Sequence, residues 1–279
     1  MPWALVLAMM MRQAATRNAV PPRYPHFDTT SVVTFPFHDS ELLQRHQHDA
    51  GSAWVTPTAR VGDSLPLFIY LHGLNRFRHH RRWMHGSQYD MRTIVGPLAL
   101  DGRIGPMIVA VPQTTGDSAL RDSTIYANFD VAGFVDAIDR AVRARGVRVD
   151  RSRVIYSAHS ASGCALGNGL FSGIGSSAVQ TVLDIDCCMN ADFGRVLASA
   201  PANQRVIVVY QDAMWERDYA EFTESFRRSS AASTDPSMRV LERIEAHGAD
   251  AHNDMVALTL RRWLPMLVPP REAFRVNAP

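Results

Sequence analysis

Apolar residues along the chain fall into short runs that end at glycine, proline or a polar side chain. Several of these runs are continuous enough to predict strands buried on both faces of a parallel sheet. The strands predicted in this way are LPLFIYLHG (65–73), PMIVAVPQ (106–113), DRSRVIYSAHS (150–160), TVLDIDCC (181–188), RVIVVYQD (205–212) and RVLERIEAHG (239–248). SVVTFPF (31–37) and AWVTPTA (53–59) instead alternate as antiparallel strands near a sheet edge do.

Helical periodicity separates and follows these strands. The stretch DVAGFVDAIDRAVRARGV (130–147) repeats apolar residues at helical spacing, with Asp130 as its N-cap and Gly146 at its end. NDMVALTLRRWLPML (253–267) predicts a last helix before a proline-rich tail. Strands that alternate with helices predict an α/β fold, with a mainly parallel sheet covered by helices on both faces. Ligands of such sheets bind at the carboxyl ends of the strands.

Length and composition suit one globular domain. The chain has 279 residues, of which 46% are hydrophobic and 20% charged, and α/β domains of this size often form one unit. We expect that domain over residues 26–268, between an N-terminal extension or weak signal-like segment (1–25) and a C-terminal tail (269–279). The N-terminal apolar run of about ten residues is too short to span a bilayer and lacks a positive n-region. We therefore expect a cytoplasmic protein, with export as the alternative.

Charge and residue usage exclude several functions. The net charge of +2 predicts neither nucleic acid nor membrane as a partner. The chain contains no lysine, which excludes a Walker-A phosphate loop, a pyridoxal Schiff base and a Ser-Lys dyad, because each needs a lysine amine. The three cysteines, Cys164, Cys187 and Cys188, are odd in number and two are adjacent. We therefore expect no disulfide framework, and Cys164 as a small buried apolar residue.

Three of the predicted strand ends are followed by residues with hydrolytic chemistry. These residues are Ser160, Asp212 and His252. The catalytic triad of an α/β-hydrolase has the same order along the chain: serine, then acid, then histidine. A serine hydroxyl becomes a good nucleophile when a neutral imidazole accepts its proton, and an acid behind the imidazole fixes its tautomer. The pattern therefore predicts Ser160 as nucleophile, His252 as base and Asp212 as orienting acid.

Three segments resemble the α/β-hydrolases. LPLFIYLHGLN (65–75), VDRSRVIYSAHSASG (149–163) and ADAHNDMVALTLRRWLPML (249–267) are similar to the esterases around esterase D, feruloyl esterases and polyhydroxybutyrate depolymerases. The resemblance spans residues 64–268, about three quarters of the chain. It implies the α/β-hydrolase fold, a carboxylic ester as the usual substrate, and an oxyanion hole of two backbone N–H groups. Carried over to this sequence, those two groups belong to Leu74 and Ala161.

The serine segment departs from the family pattern Gly-x-Ser-x-Gly. Ala158 and Ser162 stand where the pattern has glycine, but both are small and Gly163 follows directly. We therefore predict a strained but intact strand-to-helix turn at Ser160. Ser162 is the alternative nucleophile, although its own flanks fit the pattern less well.

The acid and the base each have alternatives. The family usually carries its acid in a His-Gly-x-x-Asp segment at the end of the strand that corresponds to RVIVVYQD (205–212). Here Met214 stands at the acid position, and Asp212 lies closest to the strand end. The other candidates for the acid are Glu216, Asp218 and Asp186. For the base the alternative is His247, but His252 lies directly before the last predicted helix, as the family's histidine does.

A basic segment, RFRHHRRWMHG (76–86), follows the expected oxyanion segment and contains four arginines and three histidines. One interpretation is a solvated basic loop, because runs of charge usually face water. The other is a rim, with Arg81 and Arg82 as candidates, that binds a carboxylate or phosphate on the substrate. A metal site is not expected, because the adjacent His79 and His80 rarely point at one ion and no carboxylate or cysteine completes a set.

Together these features predict a serine hydrolase that cleaves a carboxylic ester and needs no cofactor. The expected substrate is a small-molecule or peptide-like acyl compound, which is anionic in one interpretation of the basic segment. Amide cleavage or acyl transfer would use the same residues. A catalytically silent protein of the same fold is the alternative from another class, because a fold does not fix a function.

Overall fold

A computed structural model describes residues 31–37, 50–74, 83–84, 90–112, 126–211, 219–231, 235–248 and 250–271. Within these residues eight strands form one sheet, in the order β1-β2-β4-β3-β5-β6-β7-β8. Their bounds are β1 Val32–Pro36, β2 Ala50–Val55, β3 Ser64–Leu71, β4 Ile108–Pro112, β5 Arg148–His159, β6 Thr181–Ile185, β7 Arg205–Tyr210 and β8 Arg239–Arg243. Each contains or overlaps a stretch that the sequence predicts as a strand.

The described helices connect these strands or follow the last one. They are α1 Met91–Leu100, α2 Val131–Arg143, α3 Ala191–Ala198, α4 Ala220–Ser230 and α5 Ala251–Leu267, with short 3₁₀ helices at Ser160–Gly163, Gly169–Gly173 and Pro236–Met238. The predicted N-cap of α2 is confirmed, since Asp130 Oδ1 accepts the N–H of Gly133 at 2.9 Å. None of the helices in the described parts of the chain is both long and apolar enough to cross a membrane.

The sheet is parallel except at one edge. β1 and β2 pair antiparallel, as do β2 and β4, and every other neighbouring pair is parallel. The prediction of a mainly parallel sheet with two antiparallel strands at its edge is therefore confirmed. In register, Leu71 lies beside Ala158, and Ala158 beside Asp184. The residues that follow β3, β5 and β6 thus emerge side by side at one edge of the sheet.

Helices cover both faces, as predicted. One core cluster packs α2, α3 and α4 against the sheet, with Phe134, Phe193 and Phe222 among its buried residues. The other packs α1 and α5, with Met91 and Leu260. Side chains of β5 alternate between the two clusters, because successive residues of a strand point to opposite faces. The face of the sheet to which a side chain near a strand end points therefore follows from the position of its residue in this alternation.

Two helices differ from the prediction. α1 was not predicted, and its interior contains Gly96 and Pro97, which weaken a helical pattern. Its start is fixed by Asp90, whose Oδ1 accepts the N–H of Arg92 at 2.9 Å. α5 begins at Ala251, two residues before the predicted start, so His252 lies inside the first turn of the helix.

Candidate active site

Ser160 follows β5 in a conformation that L residues rarely adopt. Its φ is +61°, in the left-handed region, and the Ser160–Gly163 3₁₀ helix begins at this residue. A serine held there costs free energy that the surrounding structure must supply, and such residues cluster at functional sites. A strained turn from strand to helix is the local conformation on which the prediction of a nucleophile elbow at this residue depends.

The non-glycine flanks of Ser160 fit because they are small and enclosed. Ala158 has no exposed surface, and Ser162 is 2% exposed. The Ser162 hydroxyl accepts the N–H of His159 at 3.1 Å and lies 2.8 and 3.0 Å from the carbonyls of His159 and Leu71. This hydroxyl ties the turn to the end of β3, which is a structural role and leaves it poorly placed to attack a substrate.

Gly73 lies against Ser160 at the end of the neighbouring strand. A Cβ added at Gly73 would lie 2.6 Å from the Cβ of Ser160 and 3.0 Å from its Oγ, so only glycine fits. The Gly73 carbonyl accepts the Nδ1–H of the buried His72 at 2.7 Å. Because C=O and N–H of a trans peptide point in opposite directions, the N–H of Leu74 points away from that ring. Leu74 follows Gly73, which packs against Ser160, and Ala161 follows Ser160 itself, so both predicted oxyanion donors lie beside this serine in the backbone.

His252 pairs with Asp186. Its Nδ1 lies 2.6 Å from Asp186 Oδ2, and the side chains are 15% and 1% exposed. Asp186 follows β6 and has a φ of +49°, so it is a second residue of the site in the left-handed region. The carboxylate accepts the Nδ1–H of the imidazole, which leaves Nε2 with a lone pair. Asp186 was an alternative acid at the sequence level, and it is the carboxylate that contacts His252 among the described residues.

Gln211, at the end of β7, holds the same carboxylate. Its main-chain N–H donates to Asp186 Oδ1 at 3.2 Å and its side-chain Nε2 to Oδ2 at 3.0 Å. The residue is 1% exposed, so these donors reach Asp186 without competition from water. Sequence reasoning missed this role, although the position of Gln211 at a strand end was a signal for it.

The other predicted site residues fall into two groups. Asp212, Glu216, Asp218, Arg81 and Arg82 lie outside the described residues. His247, the alternative base, is described, is exposed, and follows β8. The two interpretations of the basic segment with Arg81 and Arg82 stay predictions. No group of three His, Cys, Asp or Glu in the described parts of the chain could hold a metal ion.

A disulfide corrects the expectation for Cys164. Cys164 bonds to Cys188 across 24 residues of sequence, so Cys164 is not an isolated apolar residue. Both half-cystines are partly buried. The bond joins the segment after Ser160 to the segment after Asp186, and it was not predicted because the fold alone brings these two strand ends together.

The third cysteine is a buried thiol beneath the same loops. Cys187 packs under Gly163, where an added Cβ would lie 2.4 Å from its Sγ. Burial raises the pKa of this thiol well above its ordinary value, and the neighbouring Asp184 raises it further. A protonated, enclosed thiol is unreactive, so Cys187 acts as a small packing residue.

Asp184 is a buried carboxyl in β6, beneath the turn that carries Asp186. Its Oδ1 accepts the Cys187 N–H at 3.2 Å, and the residue is 2% exposed. Burial raises the pKa of Asp184 to about 7, while hydrogen bonds from the thiol and the N–H of Cys187 lower it. The carboxyl therefore changes its charge near neutral pH.

No protein-family model and no curated protein matches the sequence. Solved structures do match. A ferulic acid esterase is 14% identical, with a TM-score of 0.56, over 85% of this chain and 97% of that one. The feruloyl esterase module from Clostridium thermocellum, complexed with sinapinate, is 15% identical, with a TM-score of 0.54, over 86% of this chain and 95% of that one.

The ferric enterobactin esterase from Salmonella typhimurium also matches, at 14% identity and a TM-score of 0.53. The match covers 88% of this chain and 60% of that one. These likenesses and the strand order identify the fold as the α/β-hydrolase fold, as the sequence predicted.

Proposed function

We propose that the chain is a serine esterase that hydrolyses a carboxylic ester of a small molecule through an acyl-enzyme. The observation that carries the proposal is the 2.6 Å pairing of Asp186 with His252 at the edge of the sheet where Ser160 has a left-handed backbone. The esterases among the structures of the same fold support it. In this assignment Asp186, rather than Asp212, is the orienting acid.

The first step is attack by Ser160. With Nδ1–H donated to Asp186, the Nε2 lone pair of His252 accepts the proton of the Ser160 hydroxyl as Oγ attacks the acyl carbon. The carboxylate stabilises the imidazolium that forms, and Gln211 holds the carboxylate in place. The carbonyl π electrons move onto the carbonyl oxygen, which becomes an oxyanion.

The oxyanion is stabilised by the N–H groups of Leu74 and Ala161. The His72 contact to the Gly73 carbonyl fixes the peptide unit that contains the Leu74 N–H, so that donor is oriented before substrate arrives. A preorganised donor of this kind is worth roughly 3–4 kcal/mol in other hydrolases. The tetrahedral species collapses when the ester C–O bond breaks and the imidazolium gives its proton to the leaving alkoxide.

Water completes the cycle. It gives a proton to His252 as it attacks the acyl-enzyme, and the Ser160 Oγ leaves with that proton to release a carboxylic acid. Amide cleavage, or transfer of the acyl group to an acceptor other than water, would use the same groups, so substrate preference has to be measured. An anionic acyl group bound by Arg81 and Arg82 stays a prediction from the sequence.

Kinetic assays on a panel of esters and matched amides test the proposal. Esters of ferulic and sinapic acid are the first compounds to assay, given the names of the similar structures. We expect ester hydrolysis by the wild type, with kcat reduced on the order of 10⁴-fold or more in Ser160→Ala, and unchanged in Ser177→Ala, the same change at an exposed serine. Equal turnover by Ser160→Ala would overturn the assignment, and folded wild type that turns over no ester or amide would favour the silent protein.

A further inference from the structure

We infer that His159, the residue directly before Ser160, positions His252 by holding its main chain. The inference rests on the proposed function, since it concerns how the base of that reaction is placed. The Nε2 of His159 lies 2.9 Å from the carbonyl oxygen of His252. The two imidazole rings are also adjacent, with centroids 4.4 Å apart and planes inclined by 32°.

The contact defines which nitrogen of His159 carries the proton. A carbonyl oxygen only accepts hydrogen bonds, so Nε2 must donate. His159 is 3% exposed. Burial lowers the pKa of its imidazole to about 3, and the neighbouring His252 lowers it further. His159 is therefore the neutral Nε2–H tautomer throughout the pH range in which esterases work.

The surroundings of His159 explain why neutrality matters. The titratable groups that face it are His252, Asp186 and His72, and of these Asp186 favours a charge on His159 while the two histidines oppose it. In the proposed reaction His252 becomes an imidazolium. A second cation at His159 would raise the energy of that state, whereas a neutral ring packed on it does not.

The position of His159 in the fold makes this contact possible. Ile155 and Ser157 precede it at alternate positions of β5, and Ile155 packs in the cluster on the α5 face. By the same alternation the His159 side chain points towards α5, where His252 lies in the first turn. Asp186 fixes the side chain of His252 and His159 fixes its backbone, so the base is held at two points from two neighbouring strands.

A positioning role predicts a loss in turnover rather than in substrate binding. A misplacement of about 1 Å in a catalytic group costs on the order of 10²-fold in rate. We expect His159→Leu, which fills a similar volume without a donor, to lower kcat by roughly 10- to 100-fold with KM within about twofold. His159→Gln, whose amide can donate to the same carbonyl, should recover most of kcat. Asn203→Leu, a polar-to-leucine change at an exposed residue before β7, should leave kcat unchanged.

The experiment has two readouts. The first is kcat and KM of the three variants, with thermal unfolding as a check on folding. Wild-type kcat in folded His159→Leu, or a Gln variant as slow as the Leu variant, overturns the inference.

The second readout is the ¹⁵N spectrum of the ring of His159 in the wild type. A neutral Nε2–H tautomer that persists at pH 5 supports the anchor, and a protonated or Nδ1–H ring overturns it. This spectrum decides the contact even if Ser160→Ala shows that the proposed esterase activity is wrong.

Discussion

Asp186 and His252, separated by 66 residues in sequence, are joined by a 2.6 Å hydrogen bond between Oδ2 and Nδ1. Each residue lies where a regular element meets a loop. Asp186 directly follows β6, and His252 lies in the first turn of α5. The bond selects the tautomer of His252 whose Nε2 can accept a proton. In the proposed reaction, a base oriented in this way accepts the proton of Ser160 at the neighbouring strand end.

The identity of the acid is the first prediction. Asp186→Asn keeps the shape of the side chain but removes the charge and allows the wrong histidine tautomer, which costs on the order of 10⁴-fold in kcat in a comparable triad. We expect a loss of that order for Asp186→Asn, and a change of less than about fivefold for Asp212→Asn. Steady-state kinetics on the same ester measures both. A large loss in Asp212→Asn with little loss in Asp186→Asn would return the role to Asp212.

The close approach of Gly73 to Ser160 gives the second prediction. Gly73→Ala introduces a Cβ that would lie 2.6 Å from the Cβ of Ser160, so either Ser160 or the Leu74 peptide must shift. We expect kcat to fall by about 100-fold or more, because the nucleophile or an oxyanion donor moves by a fraction of an ångström.

Gly102→Ala is the matched control for this change. Gly102 has a left-handed φ of +67°, unlike Gly73, and nothing lies within 4 Å of a Cβ added there. Its turn follows α1, before β4 begins, away from the carboxyl ends of the strands. We expect this variant to lose about 1 kcal/mol of stability and to keep its kcat. Comparable activities of the two alanine variants would contradict the packing of Gly73 on Ser160.

The disulfide between Cys164 and Cys188 gives the third prediction. It closes a loop across 24 residues, and a cross-link over such a loop typically stabilises a fold by about 3 kcal/mol. We expect the denatured, unreduced protein to show one thiol, from Cys187, and the reduced protein to show three. Cys164→Ser should lower the unfolding free energy and also kcat, since the bond ties the loops of Ser160 and Asp186 together. Three thiols without reductant would contradict the bond.

Asp184 gives the fourth prediction, on stability and pH. Its pKa is about 7 in the folded protein against an ordinary 3.8, so the folded state holds the proton more tightly. Ionisation therefore costs stability as the pH rises from about 4 to about 7, by at most roughly 1.4 kcal/mol per pH unit. Relative to wild type, Asp184→Asn should gain unfolding free energy over this range.

The comparison between variant and wild type is necessary because His159 acts with the opposite sign. Its pKa is lowered from 6.5 to about 3, so its contribution is complete above pH 6.5 and is lost as the pH falls. Urea unfolding of both proteins at pH 5, 6, 7 and 8 makes the measurement. A difference in unfolding free energy that stays constant with pH would show that Asp184 is ionised throughout.

The predictable and unpredictable parts of the site have different physical origins. Ser160 and His252 could be selected because local patterns mark them: a buried strand that ends in small residues, and a histidine beside an amphipathic helix. The acid could not be selected, because three carboxyl groups follow β7 and one follows β6, and only the register between strands decides which of them lies near His252. Asp186 was among the candidates because it lies at the end of a predicted strand.

Other features depend still more on the tertiary structure. The contact of His159 with the His252 carbonyl joins residues 93 positions apart, and the Cys164–Cys188 bond depends on the adjacency of β5 and β6. α1 lacks a clear helical pattern because Gly96 and Pro97 interrupt it. Its packing on α5 therefore stabilises a helix that the local sequence alone does not favour. The central strands β3, β4 and β6 were predictable because their apolar runs reflect burial on both faces, whereas β1 and β2 were predictable from their alternation.

Covalent labelling with a fluorophosphonate, followed by peptide mapping, tests the central claim most directly. An activated serine displaces the fluoride and keeps the phosphonyl group on its Oγ, so the modified residue reports the nucleophile itself. We predict one adduct per folded chain, on Ser160, which is lost in Ser160→Ala and formed far more slowly in His252→Gln. An adduct on Ser162 or another residue, or folded wild-type protein without any adduct, would contradict the account.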